Sequence, residues 1–139
     1  MKIHIYFIGK PRDANGNALA DEYIKRSERY LRCEMREIQP NRFELWAKHP
    51  SASKIFLDPL GKSYNSLQFS KLIGKAEDEA RDLVFLVGGA DGLPPGWQER
   101  ADLLLSMSAM TFPHELARVM LAEQIYRALT LLRGHPYPR

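Results

Sequence analysis

Leu83-Val-Phe-Leu-Val-Gly-Gly-Ala-Asp-Gly92 is the stretch that decides the fold. Leu83–Val87 is a continuous apolar run between Asp82 and Gly88. A strand with one wet face alternates polar and apolar residues. A run without alternation is covered on both faces, as in the centre of a parallel sheet. The glycines after it, Gly88, Gly89 and Gly92, allow positive φ and close approach of a ligand to the main chain, so the strand end is a plausible cofactor loop. The spacing is G-G-x-x-G, not the G-x-G-x-x-G of dinucleotide binding. The acid expected about 20 residues on for a ribose hydroxyl is also missing, since Leu103–Phe112 contains none. No Gly-Lys-Ser/Thr follows, so this is not a phosphate loop either. A nucleotide-binding oxidoreductase reading loses ground on both counts.

Outward from this strand, the chain alternates strands and helices. Lys2–Gly9 is rich in β-branched and aromatic residues and reads as a strand. Gly9–Asn17 reads as a Gly/Asn/Asp/Pro loop. Ala20, Tyr23, Ile24, Tyr30 and Leu31 predict a helix over 18–32, in which Glu22 precedes Arg26 by one turn. Glu34–Gln39 is a weak second strand, and Pro40–Ser53 has room for a helical turn or two. Lys54–Asp58 is a third strand, ended by Pro59 and Gly61, and Asn65 or Ser66 caps a helix running to about Arg81. Trp97–Asp102 predicts a short helix, Leu103–Ser106 a buried strand and Pro113–Leu132 the last helix. The alternation implies one α/β domain over residues 1–139, layered around a mostly parallel sheet.

Composition narrows the function classes. The chain has 139 residues, a formal net charge of +3 and 45% hydrophobic residues. That is enough to build a core, and mildly basic in a way compatible with a polyanionic partner. No apolar run approaches the ~20 residues of a membrane span, so no membrane partner is expected. The single cysteine, Cys33, excludes an internal disulfide and fits a reducing cytoplasm. His4, His49, His114 and His135 show no metal-ligand spacing with one another or with Cys33, so no metal is predicted.

The last helix and the residues after it carry the remaining signal. Glu123, Gln124 and Arg127 fall on one side, with Glu123 and Arg127 spaced to pair. Arg118 lies nearly opposite, among Ala122, Ile125 and Leu129. The helix is apolar on more than one flank and so packs on its sheet and on something else, most simply a second subunit. Arg118 is either a snorkelling interface residue or a functional cation. The tail His135-Pro-Tyr-Pro-Arg139 carries two rings able to stack on a base, and such tails are disordered unless tied down.

Together these stretches resemble a known family. Leu86-Val-Gly-Gly-Ala-Asp-Gly-Leu93, Leu105-Ser-Met-Ser-Ala-Met-Thr-Phe-Pro-His114, Arg118, Glu123-Gln-Ile-Tyr-Arg-Ala128 and His135-Pro-Tyr137 resemble the bacterial ribosomal RNA large-subunit methyltransferase H family of SPOUT methyltransferases. Phe7-Ile-Gly-Lys10, Glu22-Tyr-Ile-Lys-Arg26, Leu57-Asp58 and Gly61-Lys62 extend the resemblance over nearly the whole chain. It implies a trefoil-knotted three-layer α/β sandwich, one of the exceptions to unthreaded chains, and a cytoplasmic homodimer packed through the last helix. It also implies methyl transfer from S-adenosyl-L-methionine to N3 of a pseudouridine in 23S rRNA of the ribosome. By motif, the cofactor lies against Leu57, Gly88, Gly89, Met107, Ser108, Ala109, Met110, Thr111 and Phe112, while Arg118, His135, Tyr137 and Arg139 serve the acceptor.

Two departures from the family accompany these expectations. Pro138 stands where the family tail usually has a second histidine; if that histidine serves proton transfer or RNA contact, this chain uses another group, such as His135 or His114, or works more slowly. Pro40–Ser53 is also shorter than the family's usual helix there. A knotted ribosome-binding module that holds the cofactor without catalysing is the rival reading.

Overall fold

The computed structural model describes residues 1–137, so Pro138 and Arg139 lie outside the described residues. Five strands form one sheet: β1 (Lys2–Ile8), β2 (Arg32–Ile38), β3 (Ser53–Ser63), β4 (Leu83–Val87) and β5 (Leu103–Ser106). Their order is β2-β1-β4-β3-β5, and every neighbouring pair is parallel. The apolar run that opened the reading, β4, lies at the centre, with all five residues buried.

Alternate residues of the strands feed two different cores. On one face Ile3, Ile5, Phe85 and Ile55 pack under α1 (Ala14–Ser27), α3 (Ser66–Asp78) and α4 (His114–Arg133). On the other, Tyr6, Val84, Leu86 and Phe56 pack under Leu45, Trp46 and Trp97. That second layer is thin: α2 is only Leu45–Lys48, with 3-10 turns at Pro40–Arg42 and Gln98–Arg100. The undecided segment 40–53 therefore makes one 3-10 turn and one α-turn, and the helix expected over 97–102 is a 3-10 turn.

Several boundaries differ from those the sequence predicts: the first helix ends at Ser27 rather than at 32, β2 starts at Arg32 rather than at Glu34, and α3 ends at Asp78. α1 begins at Ala14, inside the stretch read as a loop, because Asp13 caps it: the carboxylate accepts from the Asn15 and Gly16 N–H groups at 3.1 and 3.2 Å. A satisfied N-cap offsets the poor helix propensity of Asn15, Gly16 and Asn17. β3 does not stop at Asp58. It pairs with β5 at Leu57, leaves the ladder, and rejoins with Lys62 and Ser63 opposite Leu105 and Ser106. This excursion opens space at the carboxyl end of the sheet, where ligands bind in open parallel α/β folds.

Candidate cofactor cavity and the C-terminal tail

A cavity of about 390 Å³ opens at the carboxyl ends of β3, β4 and β5, a size within the range of small-molecule sites. Three chain segments meet there: Leu57–Pro59 from the β3 excursion, Val87–Leu93 from the glycine loop, and Met107–Ala117 leading into α4. Of the residues expected to hold a cofactor, Leu57, Gly88, Gly89, Met107, Ser108, Met110, Thr111 and Phe112 line it. Ala109 is not among the lining residues; it is an exposed member of the same loop.

The glycines are there for close backbone approach. A Cβ at Gly88 would stand 2.8 Å from the Gly92 carbonyl, and one at Gly89 would stand 2.9 Å from the Ile8 carbonyl oxygen. Gly92 adopts φ +78° and its N–H donates to the Gly89 carbonyl at 2.9 Å, closing the loop on itself. Having no side chains, these three residues present only main-chain groups to the cavity. The opposite loop is pinned similarly: Ser106 Oγ donates to the Ser108 carbonyl at 3.0 Å, and Ser108 Oγ accepts from the Met110 N–H at 3.0 Å.

This lining discriminates between ligands. Among the described lining residues there is no lysine or arginine, so a phosphate there would be met by main-chain N–H groups alone. The walls are main chain plus Leu57, Val87, Leu93, Met107 and Phe112, with one carboxylate, Asp58. Asp58 accepts from the Leu60 N–H and from Gln98 Nε2, each at 2.9 Å. An uncharged heterocycle with an amino-acid tail and a cationic centre suits these walls, so the residues fit S-adenosylmethionine. Asp58, His114 and Ala117 were not expected as lining residues. The proline before His114, which starts a helix at a loop's end, was the sequence signal that could have placed it.

Of the residues assigned to the acceptor side, Arg118, His135 and Tyr137 are not among the cavity-lining residues. Arg118 does not line the cavity. It is 4% exposed, with its guanidinium 3.9 Å from the centre of the Phe7 ring and hydrogen-bonded to Asn17 Oδ1. Burial pulls its pKa below the ordinary arginine value, opposed by Glu115, Asp21 and Glu37. The helix face assigned to Arg118 thus turns inward, onto α1 and β1. One turn earlier, Glu115 accepts from the N–H groups of Arg12 and Asp13 at 2.7 and 3.0 Å, which holds its carboxyl below the usual range. Together the two residues tie the start of α4 to the start of α1.

The tail is tied down. Gly134 takes the left-handed conformation (φ 71°) after α4, and the His135 N–H donates to the Thr130 carbonyl at 2.9 Å, a Schellman ending. Tyr137 folds back so that its hydroxyl donates to Glu123 Oε2 at 2.7 Å and its ring lies 4.7 Å from that of Tyr126. Glu123 also receives Arg127 at 2.7 Å, the pair expected from spacing. Burial and the Glu123 carboxylate raise the Tyr137 pKa. Arg139 lies outside the described residues.

A parallel α/β sheet with a cavity at its carboxyl edge, walled by loop main chain and apolar side chains, defines the class: a protein built to hold a small molecule at that edge. The chain belongs to the SPOUT methyltransferase family, whose model, described as "Predicted SPOUT methyltransferase", matches residues 1–138. It is 64% identical, over the full length of both chains, to the ribosomal RNA large subunit methyltransferase H of Solibacter usitatus (strain Ellin6076). With the protein of that name from Paraburkholderia xenovorans (strain LB400) it is 39% identical, covering all of this chain and 99% of the relative. Among solved structures, a probable methyltransferase from Bordetella pertussis Tohama I superposes with a TM-score of 0.61 at 13% identity, over 92% of this chain and 94% of that one. The SpoU methyltransferase AviRb from Streptomyces viridochromogenes, in complex with AdoMet, does so with a TM-score of 0.52 at 14% identity, over 91% of this chain and 57% of that one. These two likenesses speak for the fold. No helix among the described residues is long and apolar enough to cross a membrane.

Proposed function

We propose that this protein is an S-adenosylmethionine-dependent methyltransferase of large-subunit ribosomal RNA. In this reading it acts as a cytoplasmic homodimer, and its acceptor is N3 of a pseudouridine in 23S rRNA. The observation that carries the reading is the main-chain-walled cavity at Leu57, Gly88–Gly89 and Met107–Phe112, in a chain 64% identical to a protein named for that activity. The trefoil threading belongs to the same reading: the Asp58–Gly61 excursion passes against the β5 backbone at Leu104, and the glycine loop and the Met107–Pro113 segment meet at one cavity.

The bound cofactor supplies an activated methyl group on a sulfonium sulfur. The chain's own work is to hold, orient and dry the reaction. The glycine loop and the Ser106–Met110 turns supply fixed hydrogen-bonding groups at no cost in side-chain entropy, and Phe112, Met107 and Leu93 exclude water. An imide nitrogen reacts once its proton is removed, and the negative charge that develops on the ring needs a donor or cation close by.

A dimer explains why His135 and Tyr137 stand apart from the cavity. Tyr137 reaches back only to Glu123, six residues beyond the cavity-lining Ala117, so its hydroxyl stops about 9 Å along the helix axis from the cavity end. Two α4 helices paired antiparallel bring the tail of one copy, with His135 and Tyr137, toward the cavity of the other. Arg139 ends that tail and serves the acceptor phosphate or base. Exposed Leu116 and Met120, one turn apart on α4, and exposed Met110 beside the cavity supply the apolar surface for the pairing. Arg118 contributes by locking α4 to Phe7 and Asn17, which sets the height of His114 and Ala117 in the cavity wall.

The test is tritiated-methyl transfer to ribosomes from a strain lacking the modification, with mass analysis of the nucleoside and sedimentation of the enzyme. The expected result is a dimer that adds one methyl group to a pseudouridine, and a chain truncated before His135 that binds S-adenosylhomocysteine but transfers at least 100-fold more slowly. Cofactor binding by the full chain without any modified nucleoside would instead establish the non-catalytic module.

A further inference from the structure

Pro113-His114 opens α4, and His114 is one of the residues lining the cavity described above. Asp58 and His114 are the ionisable side chains among the described lining residues. Their situations differ. Both Asp58 oxygens already accept hydrogen bonds, from the Leu60 N–H and from Gln98 Nε2, so that carboxylate is spent on holding the β3 excursion. The His114 ring is half-buried, is not engaged by a hydrogen bond from another described residue, and leaves no ring nitrogen sealed away from solvent space. Its Nε2 lies over Gly9: a Cβ built there would come within 3.8 Å of it. Gly9 has φ +100°, so the carboxyl end of β1 passes beneath the ring without a side chain of its own.

We infer that His114 is the proton acceptor for the methylated nitrogen. The inference rests on the methyltransferase reading above and deepens it by assigning the base. The chemistry balances without another reactant. The N–H proton of the acceptor ring moves to the free ring nitrogen of His114, the electron pair left on nitrogen forms the new N–C bond, and the pair of the broken C–S bond remains on sulfur. The imidazolium then returns its proton to solvent through the open mouth of the cavity.

Neighbouring groups leave the ring free for this. The adjacent Glu115 carboxylate is held by the Arg12 and Asp13 N–H groups, and the Arg118 guanidinium is turned away onto Phe7 and Asn17. The charged residues on the elements that meet here are Asp58 in the cavity lining, Glu115 and Arg118 on α4, Asp91 on the glycine loop, and Lys10, Arg12 and Asp13 on the loop after β1. Pro113 fixes the entry of the helix, and Glu115 with Arg118 fixes its rotation, so the ring is placed by packing and needs no partner of its own.

The experiment compares wild type with His114→Asn and His114→Gln in three measurements: single-turnover methyl transfer to unmodified ribosomes between pH 6 and 9.5, S-adenosylhomocysteine affinity by calorimetry, and NMR of the ring-labelled histidine in the wild-type protein. The inference expects transfer about 100-fold slower at pH 7 in both variants. The deficit should shrink as pH rises, because an acceptor already ionised needs no base. It also expects affinity for the product cofactor within threefold of wild type and a His114 resonance that shifts when S-adenosylhomocysteine binds. Transfer within threefold of wild type, a deficit that stays constant with pH, a parallel loss of cofactor affinity, or an unmoved resonance each overturns it. A wild-type protein that transfers nothing overturns the functional reading itself and the inference with it, whereas active wild type with active variants overturns the inference alone.

Discussion

Gly61→Ala tests whether the β3 excursion is wedged against β5. In the structure a Cβ at Gly61 would lie 2.5 Å from the Leu104 carbonyl oxygen, 2.6 Å from its carbon and 3.0 Å from the Leu105 nitrogen. Ordinary carbon–oxygen contact is about 3.3 Å or more, so the two chains must part by nearly 1 Å. Every atom met is main chain, and no rotamer change can relieve the clash. β5 cannot simply move off, because Leu105 is paired with β3 on both sides of the excursion, at Leu57 and at Lys62. Overpacking costs about 1–3 kcal/mol, and one strained or lost ladder hydrogen bond adds about 1 kcal/mol. Alanine's smaller unfolded-state entropy returns about 0.4–1 kcal/mol. The net expectation is a loss of about 2–3 kcal/mol, or a Tm lower by about 10 °C for a chain of this length. Leu57 and Leu105 both line the cavity, so S-adenosylhomocysteine affinity should fall about tenfold as well. Urea unfolding at fixed protein concentration and calorimetry read the two effects. A stability loss below about 0.5 kcal/mol with unchanged affinity would refute the claim that this crossing shapes the site.

Two further outcomes follow from local geometry. Gly16→Ala should stabilise the protein by about 0.5–1 kcal/mol in urea, since Gly16 sits in the first turn of α1 and its Cβ would meet Asp13 at ordinary distances of 3.6–3.8 Å; destabilisation would contradict the assigned cap. His49 gives a pH dependence. Burial, then His4 and Lys48, depress its pKa from 6.5 to about 4, and its Nε2 is hydrogen-bonded with the Tyr6 hydroxyl at 2.7 Å. The unfolded chain therefore binds more protons between about pH 4 and 6.5, so this contribution is complete above pH 6.5 and is lost as pH falls toward 4. Discounted for the ring's partial exposure, the loss between pH 7 and 5 is about 1 kcal/mol, and it should vanish in His49→Gln when the urea midpoints of the two proteins are compared.

Much of the molecule was legible along the chain. Hydrophobic runs and periodicities act over a few residues, so Leu83–Val87 announced a central strand, and the Asn65 cap, the helix after it and the pairs Glu22–Arg26 and Glu123–Arg127 stand as the spacing implied. The motif resemblance placed the cavity at Leu57, Gly88–Gly89 and Met107–Phe112, apart from Ala109. What the tertiary structure decided are features made between distant segments. Glu115 and the Asp13 cap start α1 four residues before the helix that its periodic stripe predicts. β5 captures Lys62 and Ser63 and so continues β3 past Pro59 and Gly61. Arg118 carries a charge that spacing alone leaves at the surface or at an interface, yet Phe7 and Asn17, more than 100 residues earlier, give it an interior partner. The tail shows the same division: its aromatic, polar letters raised the expectation of a role, but the Glu123 carboxylate and the Tyr126 ring fix where Tyr137 rests. Local sequence sets which backbone states are cheap, whereas the burial of a charge or the turn of a tail is decided by partners that only the folded chain brings within a few ångströms.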